Sequence, residues 1–404
     1  MYINKSYVLF NLFIHLLLTI LFYILFNFIG TFTFLFTLDN ISFYLSIVPI
    51  LFFLVFFGTI YNDLNNISCF FLLFSIISSF FCYNINNNFF FWFLYEFSIL
   101  PLIFLKYRGS VYSERFNSLW YFIGYLSLSS FPLLFFLLLL NKENSFYCSS
   151  FSLSSVIIFI LFIVKIPLPP FHSWLPVVHA EANSYVQCFI LLSGYIMKLG
   201  IIGIYRYCTS LWGLSNFYLL LIFLFSLFFF INSFLELDVK RWLAFLSLSH
   251  ILISYVGINV LIFFDNNLLS FYCLGHGISA ALLFYLFFLF NNISGSRNWL
   301  IINNLNNNNI LFRLLVSISV LTLASFPPTI QFISEVFILI HSLLNFNLLI
   351  NYCFYLFLGG LIPLILLSYF LSRSSNIVNF NFFYSLNFIL YILVFFCYFI
   401  PLFF

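Results

Sequence analysis

The sequence predicts an all-α polytopic membrane protein of about 13 transmembrane helices, built as two inverted repeats that each contain a broken helix. Three observations carry that prediction. Apolar residues make up 64% of the 404 residues, charged ones only 6%, and the mean hydropathy is +1.16. Soluble domains carry roughly a quarter charged residues, so this chain cannot cover a water-facing surface and a soluble enzyme is excluded. Polar breaks divide the chain into stretches of about 20 apolar residues, the length that crosses ~30 Å of hydrocarbon. Two of those stretches hold proline clusters in their interiors, which interrupt a helix. A net charge of +3 forms no polybasic patch, so no nucleic-acid partner is expected. The 67 phenylalanines, with Asn abundant at the polar breaks, suggest a T- and A-rich coding sequence such as small organelle genomes have.

The apolar segments place helices near 7–29, 42–61, 65–83, 88–105, 117–140, 153–175, 183–207, 214–232, 239–263, 267–290, 310–345, 350–371 and 380–402. The first is too long for a signal-peptide core and no small-residue cleavage site follows, so it reads as a transmembrane helix. No Arg-rich transit peptide is present, which points to synthesis inside the organelle if the protein is mitochondrial. Segment 153–175 holds Pro167, Pro169 and Pro170 and should be broken. Segment 310–345 is too long for one straight crossing and holds Phe326-Pro327-Pro328 in its middle. Comparing Pro167 with Pro327, the breaks lie 160 residues apart. Paired proline-interrupted helices at matching places in two halves mark transporter inverted repeats. The expected divisions are 1–87 (N-terminal transmembrane helices), 88–232 (first repeat, break at 165–176), 239–371 (second inverted repeat, break at 326–329) and 372–404 (C-terminal transmembrane helix). With the N-terminus on the negative side, Lys5, Lys106, Arg108, Arg115, Lys240, Arg241, Arg297 and Arg373 fall in or beside loops on that side, and Arg313 starts a helix there. Only Lys142 and Arg206 fall opposite, as the positive-inside rule expects for an odd helix count.

Four strong ionisable residues remain at membrane depth: Glu96, Lys165, Lys198 and Glu335. Each costs at least ~2.5–3.5 kcal/mol there, so they require a purpose. Pairing between helices is one; proton transfer is the other, and position favours it. Lys165 stands two residues before Pro167, at the lip of the first break. Glu335 stands seven residues after Pro328, about two turns or ~10 Å below the second break. Burial disfavours the charged form of such groups and an opposite neighbour favours it, so opposed effects bring proton exchange within reach. His250 follows Ser247 and Ser249 on one apolar helix, and His276 lies in LGHGISAALLF on the next. Histidine accepts a proton at one ring nitrogen while giving one from the other. His172 and His179 flank Trp174 and Pro176 at the first break, where they line a water entrance or bind the loop. His15 and His341 have no polar company and read as packing residues.

Metal and cofactor chemistry finds little support. The eight cysteines form no CxxC and mostly sit in apolar runs, so neither an iron–sulfur or zinc site nor a disulfide framework is expected. His250 and His276 are alone on their helices, without the second pair a haem bundle repeats. No GxGxxG opens a helix after a strand.

VKIPLPPFHSWLPVVHAEA, running from Val164 to Ala182, resembles the broken-helix signature of the antiporter-like subunits of respiratory complex I. Its HAEA ending is most similar to the subunit 4 family. FLYEFSILP with Glu96, YSERFNSLWYF, MKLGIIGIYR with Lys198, LDVKRWLAFLSLSHI with His250, LGHGISAALLF with His276 and FPPTIQFISEVFIL with Glu335 follow the family's order. The sequence departs from the family at Asn183, where proline is usual, and in having three expected helices before Glu96 instead of four.

The resemblance implies an antiporter-like fold and a proton relay. In it Glu96 modulates Lys165; Lys198, His250 and His276 carry protons along a horizontal axis; and Glu335 is the terminal site. It implies a subunit of the proton-translocating NADH:ubiquinone reductase that has no redox centre of its own and binds no cofactor. NADH, FMN, iron–sulfur clusters and ubiquinone then sit in other subunits. The implied setting is the mitochondrial inner membrane. The implied partners are the other membrane-arm subunits, neighbouring antiporter-like subunits among them, and membrane lipids such as cardiolipin. A subunit of the related sodium/proton antiporters, or a purely structural membrane subunit, are the competing expectations.

Overall fold

A computed structural model describes residues 30–31, 37–59, 66–109, 115–142, 153–181, 192–208, 216–261, 266–302, 310–343, 346–372 and 393–398. The expected helix 7–29 lies outside these residues, as do Lys5, His15, Asn183, Arg373 and most of 380–402, of which 393–398 are helical. A minimal antiparallel pair, β1 (Gly30–Thr31) with β2 (Thr37–Leu38), sets Gly30 opposite Leu38.

Helices account for nearly all the rest. They are α1 (Asn40–Thr59), α2 (Asn66–Asn84), α3 (Asn88–Gly109), α4 (Arg115–Lys142), α5 (Leu153–Lys165) and α6 (Trp174–Glu181). A π-turn, Leu192–Ile196, leads into α7 (Met197–Tyr207). Then come α8 (Asn216–Leu235), α9 (Val239–Leu261), α10 (Asn266–Ser294), the one-turn α11 (Trp299–Ile302), α12 (Ile310–Leu323), α13 (Ile330–Ser342) and α14 (Phe346–Ser372). The polar breaks supply the caps. Asn87 Oδ1 accepts from Phe89 N at 3.0 Å to start α3, and Asp238 Oδ1 accepts from Lys240 N at 2.9 Å to start α9.

Seven helices among the described residues are long and apolar enough to cross a membrane. They divide sharply by burial. Of the apolar stretch of α4 only 33% is buried, whereas α9 and α10 are 89% and 94% buried. Helices that are apolar all round and buried all round form the protein's interior, with lipid-facing helices around them. Each of the two central helices carries a histidine, so His250 and His276 are interior by placement. Around them α10 packs on α1 and α13, α9 on α6 and α8, and α5 on α7. The last contact is close because Gly203 lacks a side chain: a Cβ there would overlap the Phe162 ring.

Both expected breaks are present, and they are the same turn. At the first, Ile166 N bonds Phe162 O, Leu168 N bonds Ile163 O and Phe171 N bonds Leu168 O. At the second, Ala324 N bonds Val320 O, Phe326 N bonds Leu321 O and Thr329 N bonds Phe326 O. Every atom pair repeats after 158 residues (166 to 324, 168 to 326, 171 to 329). Pro167 therefore corresponds to Ser325, and Pro170 to Pro328, which corrects the offset of 160 read from Pro167 and Pro327. The sixth-to-first bond is the Schellman pattern that ends a helix, with left-handed Ser325 (φ 52°) in the C′ place. The first interrupted helix also resumes further along than segment 153–175 anticipates, as α6 reaches Glu181. The freed carbonyls find protein donors: Trp174 Nε1 reaches Val164 O at 3.2 Å, and Tyr218 OH reaches Pro169 O at 2.7 Å.

One loop charge is placed differently from its expectation. Arg206 is buried and donates to Ile85 O at 2.9 Å, Tyr83 O at 2.8 Å and Asp39 Oδ2 at 3.1 Å. It ties α7 to the head of α1 and the α2–α3 turn, because the bare carbonyls of that turn need a donor.

Candidate functional site

Lys165 is the last helical residue of α5, where the interrupted helix leaves carbonyl oxygens that complement an ammonium. Its Nζ lies 2.6 Å from Glu96 Oε1 on α3. The Lys165 side chain is fully buried and that of Glu96 is 13% exposed. Tyr95, the neighbour of Glu96, turns its buried ring beneath the ammonium at 4.0 Å from the ring centre. The resemblance-based pairing of these two residues is thus a direct contact.

Lys198 lies in the first turn of α7, buried among apolar side chains. It interacts electrostatically with His250, His276 and Cys273. The two histidine rings lie 5.5 Å apart, one from each central helix. Residues whose sequence positions span nearly 80 residues, Lys198 to His276, so form one polar centre.

Beyond the histidines stands a group that sequence reading did not single out. Gln331, in the first turn of α13, places Nε2 3.3 Å from His250 Nδ1 and 3.3 Å from Glu335 Oε1. Ser279 of α10 donates to Gln331 Oε1 at 3.4 Å. Gln331 and Glu335 are four residues apart on one face of α13, the spacing at which side chains meet. Glu335 sits in the second turn of α13, which Thr329 caps. Tyr272 and Tyr355 complete the cluster: Tyr272 OH donates to His250 O at 3.0 Å and lies 3.1 Å from Tyr355 OH. The Gln331–Glu335 spacing was readable in the sequence; nothing local flags the tyrosines.

The remaining candidates lie to the side. His172, half-buried at the first break, packs against Phe229 at 4.8 Å between ring centres. Its Nδ1 has no hydrogen-bond partner among the described residues. His179 of α6 is buried and stacks on Phe284 at 5.2 Å. The described residues do not bring either one into hydrogen-bond contact with the central row. His341 is partly buried near the end of α13. Tyr95 OH, His250 Nε2 and His276 Nε2 are likewise buried without a described partner. An unpaired buried polar atom costs about 1–3 kcal/mol, which a water with two or more polar neighbours relieves. Among the described residues no group of three or more His, Cys, Asp or Glu could hold a metal ion, and six cysteines are free thiols.

The family described as NADH:quinone oxidoreductase/Mrp antiporter, TM, matches residues 85–362, a span that contains both breaks and every member of the row from Glu96 to Glu335. The chain belongs to this antiporter family. A curated relative, NADH-ubiquinone oxidoreductase chain 4 of Ascaris suum, is 30% identical over 260 residues, 62% of this chain. The chain spans 62% of that relative's length. Two solved chains share the fold. A chain of respiratory complex I from Thermus thermophilus with bound NADH superposes with a TM-score of 0.82 at 16% identity, covering 100% of this chain and 93% of that one. A chain of the Mrp complex from Dietzia sp. DQ12-45-1b gives 0.72 at 18% identity, covering 84% and 68%. The resemblance read from the first broken helix is borne out, and this member of the antiporter family is a multi-pass membrane protein.

Proposed function

We propose that this chain is a proton-translocating membrane-arm subunit of respiratory complex I, the NADH:ubiquinone oxidoreductase, in the mitochondrial inner membrane. The observation that carries the proposal is the buried row Glu96–Lys165, Lys198, His276, His250, Gln331 and Glu335, built from six helices inside an apolar shell. Charges at that depth are costly, and a row of them is maintained for ion movement. In this reading protons enter beside the first break near His172 and His179 and load Lys198. Opening the Lys165–Glu96 contact changes the field at Lys198 and drives its proton to His276, His250 and on to Glu335, from which it leaves. The matching turns at Pro167 and Ser325 support two inverted repeats, 88–232 and 239–371. The redox groups belong to other subunits, and quinone reduction there supplies the energy; this chain handles only protons. Its exposed apolar faces, with Trp120, Leu128 and Phe131 on α4, suit neighbouring antiporter-like subunits and lipids such as cardiolipin.

A second reading, a subunit of a sodium/proton antiporter, draws on the likeness to the Dietzia Mrp complex. One experiment separates them: mild detergent extraction, a native gel stained for NADH dehydrogenase activity, and mass spectrometry of the stained band. Finding this chain in a very large, NADH-active assembly supports the first reading. Finding it only in a small assembly without NADH activity refutes it, and sodium transport then becomes the assay.

A further inference from the structure

We infer that the ring of Tyr95 is the seat that keeps the Lys165 ammonium in place when Glu96 lets go of it, which makes Tyr95 a positioning residue for the proton relay. The inference rests on the relay reading above, in which the Lys165–Glu96 contact opens. The Lys165 ammonium carries three N–H donors and no acceptor. One donor reaches Glu96 Oε1 at 2.6 Å. The ammonium also lies over the face of the Tyr95 ring, 4.0 Å from its centre. The negative face of an aromatic ring attracts a cation, and most strongly where water is kept away. Tyr95 and Glu96 are consecutive on α3, so their side chains leave the helix ~100° apart and the ammonium touches both. The Tyr95 hydroxyl has no hydrogen-bond partner among the described residues, so what the residue gives the site is its ring.

The two supports of the ammonium differ in their freedom. Tyr95 is wholly buried, and its ring packs against Phe91, one turn earlier on α3, at 6.2 Å between centres. Phe91 packs edge-on against Phe162 of α5 at 6.4 Å, so this row of rings ties α3 to the helix that ends in Lys165. The Glu96 carboxylate, by contrast, ends a flexible side chain that is 13% exposed. Opening the pair therefore moves the carboxylate and leaves the ammonium on the ring. The carbonyls of Phe162, Ile163 and Val164 at the end of α5 already accept from Ile166, Leu168 and Trp174, so their pull on the ammonium is shared. A cation that stays in place while its counter-charge withdraws exerts an uncompensated field on its surroundings, which is what the relay requires at Lys198. Without the ring, the buried ammonium follows the carboxylate and the two charges separate less.

The test is Tyr95→Leu in the assembled complex, with NADH oxidation and proton translocation measured together in sealed inner-membrane vesicles. The protons moved per NADH should fall as far as in Glu96→Gln, and Tyr95→Phe, which keeps the ring, should restore the full ratio. Phe91→Leu is the packing control: it removes an equally buried ring from the same helix, one whose ring neighbours are Tyr95, Phe162 and Tyr207. It should lower heat stability and leave the ratio full. A full ratio in Tyr95→Leu beside a lowered one in Glu96→Gln overturns the Tyr95 assignment alone. Full ratios in both overturn the relay reading itself. A loss in Tyr95→Phe equal to that in Tyr95→Leu assigns the effect to the hydroxyl, and equal losses in Phe91→Leu and Tyr95→Leu assign it to packing; either result overturns the assignment. Should Tyr95→Leu not assemble, Tyr95→Met carries the test, since its flexible side chain fills the space without a ring; a full ratio there counts against the proposal, and a lowered one in an assembled complex supports it.

Discussion

Replacing Glu96 by Gln removes one charge with almost no change of volume. The perturbed contact is the 2.6 Å ion pair with Lys165, whose own side chain is wholly buried. At that separation and an effective dielectric of about 20 the attraction is roughly 6 kcal/mol, and breaking buried pairs by mutation costs about 3–5 kcal/mol. The 13% exposure of Glu96 favours the lower figure. The Gln carbonyl still accepts from Nζ and restores about 1 kcal/mol. The Lys165 ammonium then loses about 2–4 kcal/mol of support, a factor of roughly 10² in an equilibrium. Packing survives, so assembly should survive, while proton translocation per NADH oxidised should fall. The assay is a native gel for assembly together with simultaneous NADH oxidation and proton uptake in sealed vesicles. A normal amount of complex with an unchanged proton-to-electron ratio refutes the reasoning. Lost assembly with a normal residual ratio assigns the pair to structure instead.

Other expected outcomes follow from the same geometry. Lys165→Ala and Glu335→Gln should each lower proton pumping while the chain stays in the membrane; unchanged ratios in both, by the vesicle assay, exclude the relay. Arg206→Met leaves the carbonyls of Tyr83 and Ile85 without their donor, at about 1–3 kcal/mol each. It should reduce the yield of assembled complex on native gels and leave the ratio of what remains normal; a full yield counts against the clamp. Gly203→Ala drives a methyl group into the Phe162 ring, at about 1–3 kcal/mol. Heat inactivation at lower temperature with an unchanged ratio is expected, and unaltered stability would show that α5 and α7 separate without cost.

Much of the protein is determined along the chain. Apolar runs of crossing length define the helices because lipid offers no partner for an open backbone. Pro167 to Pro170 and Pro327-Pro328 place the two breaks because proline cannot donate to the helix ladder. Glu96, Lys165, Lys198 and Glu335 stand out because a charge in an apolar run is expensive wherever it folds. What only the tertiary structure decided is which of these groups meet. The register of the two turns depends on backbone hydrogen bonds, and the prolines alone mispair them by two residues. Arg206 reads as a loop charge until the α2–α3 turn presents bare carbonyls to it. Tyr272 and Tyr355 are two among 26 tyrosines, and no spacing separates them from the rest. Their place beside His250 comes from α10 and α14 meeting α9 there, 22 and 105 residues away along the chain. Hydrophobic periodicity reports how a residue faces its own helix, whereas a proton path requires oxygen and nitrogen atoms from different helices within about 3 Å of one another, and that distance is set only when the helices pack.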